Sequence, residues 1–180
     1  MPDFIHREKI LAYLLRHDYE NYDFDIHAWR EIRDIVENHG YTREEILFIV
    51  ANSSKQRFEL SEDGLWVRAL YGHSFEVDLQ REPTVPPECL FHGTVLASVP
   101  SIMEKGLLPM NRYRVHLSSD QDTAMEVGAR RKGEVVVLKV EALRMWGDGH
   151  LFWPAKDKVW LVKSVPPEYI STSASFAERK

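Results

Sequence analysis

The sequence contains a single cysteine, Cys89, and no long run of apolar residues. One cysteine cannot form an intramolecular disulfide, and it cannot supply the thiolates of a cysteine zinc site. No apolar stretch approaches the roughly 18 to 20 residues that a helix needs to cross a bilayer, and the N-terminal residues lack the layout of a secretory signal. We therefore expect a cytoplasmic protein without a membrane segment.

Two common ligand-binding patterns are also missing. The histidines at positions 6, 27, 39 and 150 do not have the spacing of metal ligands, so we expect no bound metal. No strand-to-helix turn carries the glycine-rich pattern of a Rossmann or P-loop unit. Any nucleotide that binds this chain must therefore be held in another way.

Positive charge is in short supply. The chain has 23 lysines and arginines against 28 aspartates and glutamates, which gives a net charge of −5. Proteins that coat a nucleic-acid duplex without regard to sequence need many phosphate contacts and usually a basic surface. This composition argues against that mode of binding, but it is compatible with a local basic pocket.

A proline-containing stretch divides the chain. Residues 79–88 hold Pro83, Pro86 and Pro87, which remove backbone donors and favour an extended connector. We therefore predict two domains, residues 1–84 and residues 85–180, within an α+β fold.

Apolar residues at helical spacing predict three short helices in the first domain. The first covers residues 5–17, the second ends at His39-Gly40, and the third begins with a capping box formed by Thr42 and Glu45. Two short strands then flank the turn formers Asp63-Gly64. Three helices followed by a hairpin are typical of a winged helix.

The second domain is predicted to be a sheet with peripheral helices. The strands are expected at Leu90–His92, Val115–Leu117, Glu134–Val140 and Val159–Val162. One helix ends at Gly106, and another is capped by Ser119 or Asp120 and runs toward Arg130. The spacing of Trp146, Trp153 and Trp160 fits either a core or an exposed binding surface.

Two predicted strands carry a histidine close to their end, with small residues after it. They read Leu90-Phe91-His92-Gly93-Thr94 and Val115-His116-Leu117-Ser118. A glycine at such a position lets a ligand approach the backbone closely, because no side chain blocks it. We interpret the two strand ends as the lining of one ligand cleft.

Six motifs in one order resemble those of the RNA 2′-phosphotransferases, the Tpt1 or KptA family. They are Leu14-Leu15-Arg16-His17, Lys55-Gln56-Arg57-Phe58-Glu59-Leu60, Arg68 with Gly72-His73-Ser74, His92-Gly93-Thr94, Val115-His116-Leu117-Ser118 and Val165-Pro166-Pro167-Glu168-Tyr169. The resemblance implies an N-terminal winged-helix lobe that faces RNA. It also implies a C-terminal β-sheet lobe of the ADP-ribosyltransferase type that binds NAD+.

The activity implied by the resemblance is the NAD-dependent removal of an internal 2′-phosphate from RNA. A tRNA with a phosphate at its splice junction is the type of substrate that the resemblance implies. The RNA phosphate would first be ADP-ribosylated with release of nicotinamide. The products would then be RNA with a 2′-hydroxyl and ADP-ribose 1″,2″-cyclic phosphate. We expect NAD+ as a co-substrate, no metal, no membrane partner and a monomeric protein.

The same resemblance assigns residues to roles. The catalytic set is Arg16, Lys55, Arg57 and Arg130; the phosphate and RNA set is His17, His73, Arg68 and Arg131; the NAD+ set is His92, Gly93, Thr94, His116 and Ser118. Cationic groups, and planar guanidinium forks above all, suit a reaction that develops charge on phosphate oxygens. Counting from Val127-Gly128 selects Arg130 as the fourth catalytic cation and is preferred, whereas counting back from Gly133 selects Arg131.

Two other functions compete with this one. An NAD-dependent ADP-ribosyltransferase that caps nucleic-acid phosphate ends would use the same pocket and stop after the first step. A winged-helix regulator without enzymatic activity would need a basic recognition helix, which Glu44-Glu45 and the acidic first domain disfavour.

Overall fold

The computed structural model describes residues 3–54, 56–156 and 158–172. The chain divides into two compact units, residues 1–80 and residues 81–180. The second unit begins before the predicted boundary at Thr84 because the intervening residues bond to its strands. Arg81 donates from Nη1 to the carbonyls of Pro154 and Ala155, and the Thr84 N–H donates to the Phe152 carbonyl over 2.9 Å.

The first unit consists of three helices and a small antiparallel sheet. The elements are α1 (Phe4–His17), β1 (Arg30–Glu31), α2 (Ile32–His39), α3 (Arg43–Asn52), β2 (Phe58–Leu60) and β3 (Trp66–Ala69), with the strand order β1-β3-β2. The predicted capping box is present, since Thr42 and Glu45 bond to each other's backbone N–H groups. The predicted stop of α2 is also present, with Gly40 in the left-handed conformation at φ 64°.

Apolar faces of the three helices meet the sheet in one core. The residues that are buried there include Leu11, Leu14, Leu15, Ile32, Ile35, Ile46, Ile49, Phe58 and Val67. Most of these positions recur at intervals of three or four, which is why the sequence predicts the helices correctly. The core therefore anchors the end of α1, where Arg16 and His17 lie.

The second unit is built on a six-stranded antiparallel sheet. Its elements are β4 (Leu90–Val95), α4 (Val99–Lys105), β5 (Val115–Ser118), α5 (Gln121–Gly128), β6 (Val135–Val140), α6 (Ala142–Gly147), β7 (Phe152–Lys156), β8 (Val159–Val162) and β9 (Ile170–Thr172). The strand order is β7-β8-β5-β4-β6-β9. Asp120 caps α5 by accepting from the Thr123 N–H, which decides between the two predicted caps.

The structure corrects the expected position of His92, which is not at a strand end. β4 continues to Val95 because it pairs with β6 along its whole length, from Leu90 opposite Val140 to Val95 opposite Val135. His92 therefore lies in the middle of an internal strand.

The three tryptophans have different surroundings. Trp146 and Trp160 pack against the buried core of the second unit. Trp153 instead lies under Arg114, whose guanidinium carbon stands 3.5 Å from the ring centroid. Two of the three are therefore partly buried residues that border the core.

Two further observations concern the described ranges only. None of the helices there combines the length and apolar character that a membrane crossing requires. Within the same ranges, no three histidine, cysteine, aspartate or glutamate side chains are grouped so that they could hold a metal ion.

Candidate functional site

The sheet of the second unit opens between β4 and β5. β5 pairs with β8 from Val115 to Ser118, yet within the described residues β4 and β5 pair only at Phe91 and Ser118. The ladder between the two strands therefore ends at this pair, and we call the region beyond it the opening. The opening lies where the sequence predicts the NAD+ residues.

His92 projects into this opening and bonds to the facing strand. Its Nδ1 lies 3.1 Å from the backbone carbonyl of His116. Because a carbonyl only accepts, Nδ1 carries the hydrogen and Nε2 of the neutral ring holds the lone pair. Burial lowers the pKa of His92, the bond to His116 opposes this, and the charges of Arg131 and Arg112 lower it further. The ring is therefore a neutral acceptor at physiological pH.

His116 has the same arrangement. Its Nδ1 lies 3.0 Å from the carbonyl of Arg114, so this ring too carries its hydrogen on Nδ1 when neutral. Thr94 and Ser118 are buried, with 2% and 7% of their surface exposed. His92 and His116 therefore have defined ring orientations, and Thr94 and Ser118 are sheltered hydroxyl residues of the same two strands.

Gly93 is required by the helix that crosses it. A Cβ atom on Gly93 would lie 1.7 Å from the carbonyl oxygen of Ala124 in α5. The sequence interpretation gave this glycine to a ligand, but the close neighbour in the structure is the backbone of α5. Packing against α5 is sufficient to explain the absent side chain, while the predicted role of Gly93 in NAD+ binding stays a prediction.

The two candidates for the fourth catalytic cation both follow α5 and are exposed. Their backbone N–H groups bond to the carbonyls of Val127 and Gly128. They differ in one respect, since Arg131 contributes to the lowered pKa of His92 and Arg130 is not among its causes. Arg112 makes the same contribution and was missed by the sequence reasoning, although it lies four residues before His116.

In the first unit, Arg16 and His17 end α1. The Arg16 side chain lies against Gly72, where an added Cβ would be 3.4 Å from its Cδ and Nε, and its guanidinium carbon stands 5.0 Å from the ring centroid of Tyr71. The Ser74 N–H donates to the Arg16 carbonyl over 3.0 Å. The structure thus brings the Gly72-His73-Ser74 motif to the end of α1, with the His73 side chain buried beside Phe75.

Arg57 is held by a buried carboxylate that the sequence reasoning missed. Its Nη1 lies 2.5 Å from Oε1 of Glu8 in α1. The Ser53 hydroxyl donates to the same oxygen over 2.5 Å. Glu8 lies 45 residues before Ser53, so no local pattern could have revealed this contact. Lys55, the other predicted catalytic residue of this segment, lies outside the described residues.

Arg68 lies on the same sheet as part of an internal network. Its Nε donates to Glu59, its Nη1 donates to the His27 carbonyl over 3.3 Å, and its guanidinium carbon stands 4.3 Å from the Trp29 ring centroid. With 9% of its surface exposed, it is buried. The structure therefore gives this arginine contacts that explain its presence without a ligand, while its predicted role in phosphate or RNA binding stays a prediction.

The comparison with known proteins covers both units. The RNA 2′-phosphotransferase, Tpt1 / KptA family matches residues 5–164. A probable RNA 2′-phosphotransferase of Acaryochloris marina is 44% identical over 168 residues, which are 89% of this chain and 92% of the relative. A protein of the same name from Rhodopirellula baltica is 43% identical over 171 residues, which are 91% and 92% of the two chains. One from Nostoc punctiforme is 51% identical over 129 residues, 72% and 71% of the two chains. The match runs through the end of α1, the segment around Arg57 and the opening beside His92, and the chain belongs to the RNA 2′-phosphotransferase family.

Proposed function

We propose that this protein removes an internal 2′-phosphate from RNA in an NAD-dependent reaction. The phosphate oxygen forms a bond to the ribose carbon that carries nicotinamide, and the carbon–nitrogen bond breaks with its electron pair leaving on nicotinamide. In the second step the ribose 2″-hydroxyl loses its proton and attacks phosphorus. The bond to the RNA 2′-oxygen breaks, and that oxygen takes up a proton.

The observation that carries this proposal is the family match over residues 5–164, which includes every predicted site residue. The relatives that share 43% and 44% identity are aligned over about nine-tenths of the chain. The arrangement of three helices with a small sheet fits a winged-helix unit, and the opened six-stranded sheet fits an ADP-ribosyltransferase-like unit. We extend the proposal to these two fold assignments.

The opening between β4 and β5 fits the dinucleotide. His92 has Nδ1 near a backbone carbonyl, so its neutral ring offers Nε2 as an acceptor for a ribose hydroxyl. A neutral His92 also avoids placing a further positive charge beside the nicotinamide ring, which is itself positive. The chain's contribution here is to orient the ribose and keep it from turning.

The basic residues of the first unit fit the phosphate. A phosphate monoester has its second pKa near 6, so the nucleophile of the first step is ionised at neutral pH and needs orientation rather than a base. In the second step, cations stabilise the charge on the phosphate oxygens. We assign this task to Arg16, Lys55 and Arg57 and, from the second unit, to Arg130, with His17 and His73 as further phosphate contacts.

The decisive experiment uses a short RNA with one internal 2′-phosphate, incubated with the purified protein with and without NAD+. We expect loss of the phosphate only when NAD+ is present, together with nicotinamide and ADP-ribose 1″,2″-cyclic phosphate. The same RNA with a 2′-hydroxyl is the control substrate. Arg57→Ala should abolish turnover and leave the binding of NAD+ intact.

Two other results are informative. Accumulation of ADP-ribosylated RNA as the end product would favour a transferase that caps phosphate ends. RNA that stays unchanged while NAD+ binds would contradict the proposal. The proposal also includes a tRNA with a splice-junction phosphate as the RNA in the cell, a monomeric state and a cytoplasmic location. Each of these needs a test of its own.

A further inference from the structure

Glu8 is a buried acidic residue to which the proposed chemistry gives no task. It lies on α1, two turns before Arg16, and 6% of its surface is exposed. Removing a carboxylate from water costs several kcal/mol unless partners replace the lost hydration. A residue of this kind in a core therefore needs an explanation, and its contacts provide one.

One oxygen of Glu8 holds both ends of a short turn. Oε1 accepts from the Ser53 hydroxyl where the turn begins and from Nη1 of Arg57 where it ends, each over 2.5 Å. Within the turn the Gln56 N–H bonds to the Ser53 carbonyl over 2.9 Å, and Gln56 has a left-handed φ of 40°. Such a conformation is unfavourable for a residue with a side chain and needs support from its surroundings.

Arg57, which ends the turn, is one of the four residues assigned to catalysis. The Arg57 backbone is fixed separately, since its carbonyl accepts from the Leu70 N–H over 2.8 Å. Glu8 therefore acts on the guanidinium rather than on the strand, and 22% of the Arg57 side chain stays exposed to solvent.

We propose that Glu8 is a positioning residue that orients the Arg57 guanidinium. The charge-assisted bond to Nη1 restricts rotation of the guanidinium, so its remaining donors keep one direction. The consequence for catalysis rests on the proposed function, whereas the fixed orientation of Arg57 does not.

Glu8→Gln is the variant that tests this. The amide has the same size and is less costly to bury, so the protein should fold. Its amide oxygen can still accept from Ser53. The bond to Arg57 then lacks the negative charge of the carboxylate and competes with the Ser53 bond for the same oxygen. Glu45→Gln is the matched control, because Glu45 also joins α1 to α3 through an arginine, Arg7, over 2.9 Å, and glutamine preserves its capping box.

Two measurements are made on both variants. Nitrogen NMR of the arginine side chains, with the Arg57 signal assigned through Arg57→Lys, reports how fast the Nε hydrogen exchanges and the guanidinium rotates. Steady-state kinetics with the 2′-phosphorylated RNA separates kcat from KM for NAD+. In Glu8→Gln we expect faster exchange at Arg57 and a kcat reduced by about 10- to 100-fold, with KM for NAD+ within about twofold of the parent.

Every result has a defined meaning. Unchanged Arg57 exchange in Glu8→Gln overturns the proposal, whatever happens to kcat. Equal losses in Glu8→Gln and Glu45→Gln also overturn it, because they indicate general loosening of the helices. If the parent protein shows no turnover but Glu8→Gln still shows faster exchange at Arg57, the positioning of Arg57 is supported and the proposed function is refuted.

Discussion

Gly93 in β4 and Ala124 in α5 lie so close that a Cβ atom on the glycine would stand 1.7 Å from the alanine carbonyl oxygen. The obstructing atom belongs to a helix backbone, which cannot rotate out of the way. Gly128, one turn later in α5, shows the reciprocal constraint, with an added Cβ 3.0 Å from the Gly93 carbonyl carbon. Strand and helix therefore touch backbone to backbone directly beside His92.

We predict that Gly93→Ala destabilises the protein severely. The methyl group must displace α5, and overpacking of this kind costs about 3 kcal/mol or more in the free energy of unfolding. Gly147→Ala is the matched control, since an added Cβ there meets nothing within 4 Å and the residue belongs to α6. Urea unfolding measures both, and similar stabilities for the two variants would show that α5 can move away at little cost.

We predict that His92 makes the protein less stable in mild acid. Burial lowers its pKa below the value of 6.5 that it has in an unfolded chain. Below pH 6.5 the unfolded chain therefore binds a proton that the folded protein binds only at lower pH. The stabilising contribution is complete above this value and is lost as the pH falls through the folded pKa.

The test compares urea unfolding of the parent and His92→Asn at about pH 7.5 and about pH 5.5. Asparagine can still donate to the His116 carbonyl but does not titrate. We expect the parent to lose more stability than the variant between the two conditions. Equal losses would mean that His92 takes up its proton as readily in the folded protein as in the unfolded chain.

We predict that Arg131→Ala raises the pKa of His92 and that Arg130→Ala does not. A nearby positive charge disfavours a protonated imidazole, and Arg131 is one of the causes of the low pKa. NMR titration of the His92 ring measures the effect. The same two variants test the sequence preference, which expects turnover to be lost in Arg130→Ala. Turnover that survives in Arg130→Ala and stops in Arg131→Ala would transfer the catalytic assignment to Arg131.

Local patterns were sufficient for most elements of this fold. The helix periodicity of Leu11, Leu14 and Leu15 and the cap at Thr42 involve residues within a few positions of each other, and the structure confirms both. The β-branched run in Glu134–Val140 likewise predicted a strand, and the structure has β6 over Val135–Val140. Such signals depend on residues that are neighbours in sequence, and these residues are also neighbours in the folded protein.

Features that depend on contacts between residues far apart in the sequence could not be predicted from local patterns. β1 has two residues and exists because Arg30 and Glu31 lie opposite Val67 and Trp66. Glu8 contacts Arg57, which lies 49 residues later in the sequence, and Gly93 contacts Ala124, which lies 31 residues later. The motif reasoning singled out Arg57 and Gly93, and their predicted roles stay predictions. It could not identify the partner that explains each of them.

Of the first unit's residues, Arg30 is the one whose replacement we expect to lower the free energy of unfolding most. It is 1% exposed, and its Nη1 donates to Asp18 over 2.8 Å while its Nε donates to Asp34 over 2.7 Å. Burial alone would raise the pKa of Asp18, but hydrogen bonds from Asn21 and Arg30 outweigh it and the pKa is lowered. Asp18 is therefore a buried carboxylate that depends on its arginine.

We predict that Arg30→Gln lowers the free energy of unfolding by about 3 to 5 kcal/mol, because it leaves the Asp18 charge buried without its partner. Adding Asp18→Asn should recover part of the loss, since the uncompensated charge is then gone. Arg33→Gln is the control, because its bond to Glu31 involves an arginine side chain that is 74% exposed, and it should change stability by less than about 0.5 kcal/mol. Urea unfolding at neutral pH gives all three values. A double variant no more stable than Arg30→Gln would place the loss in the packing of Arg30 against Tyr22, 4.5 Å from its guanidinium, rather than in the charge of Asp18.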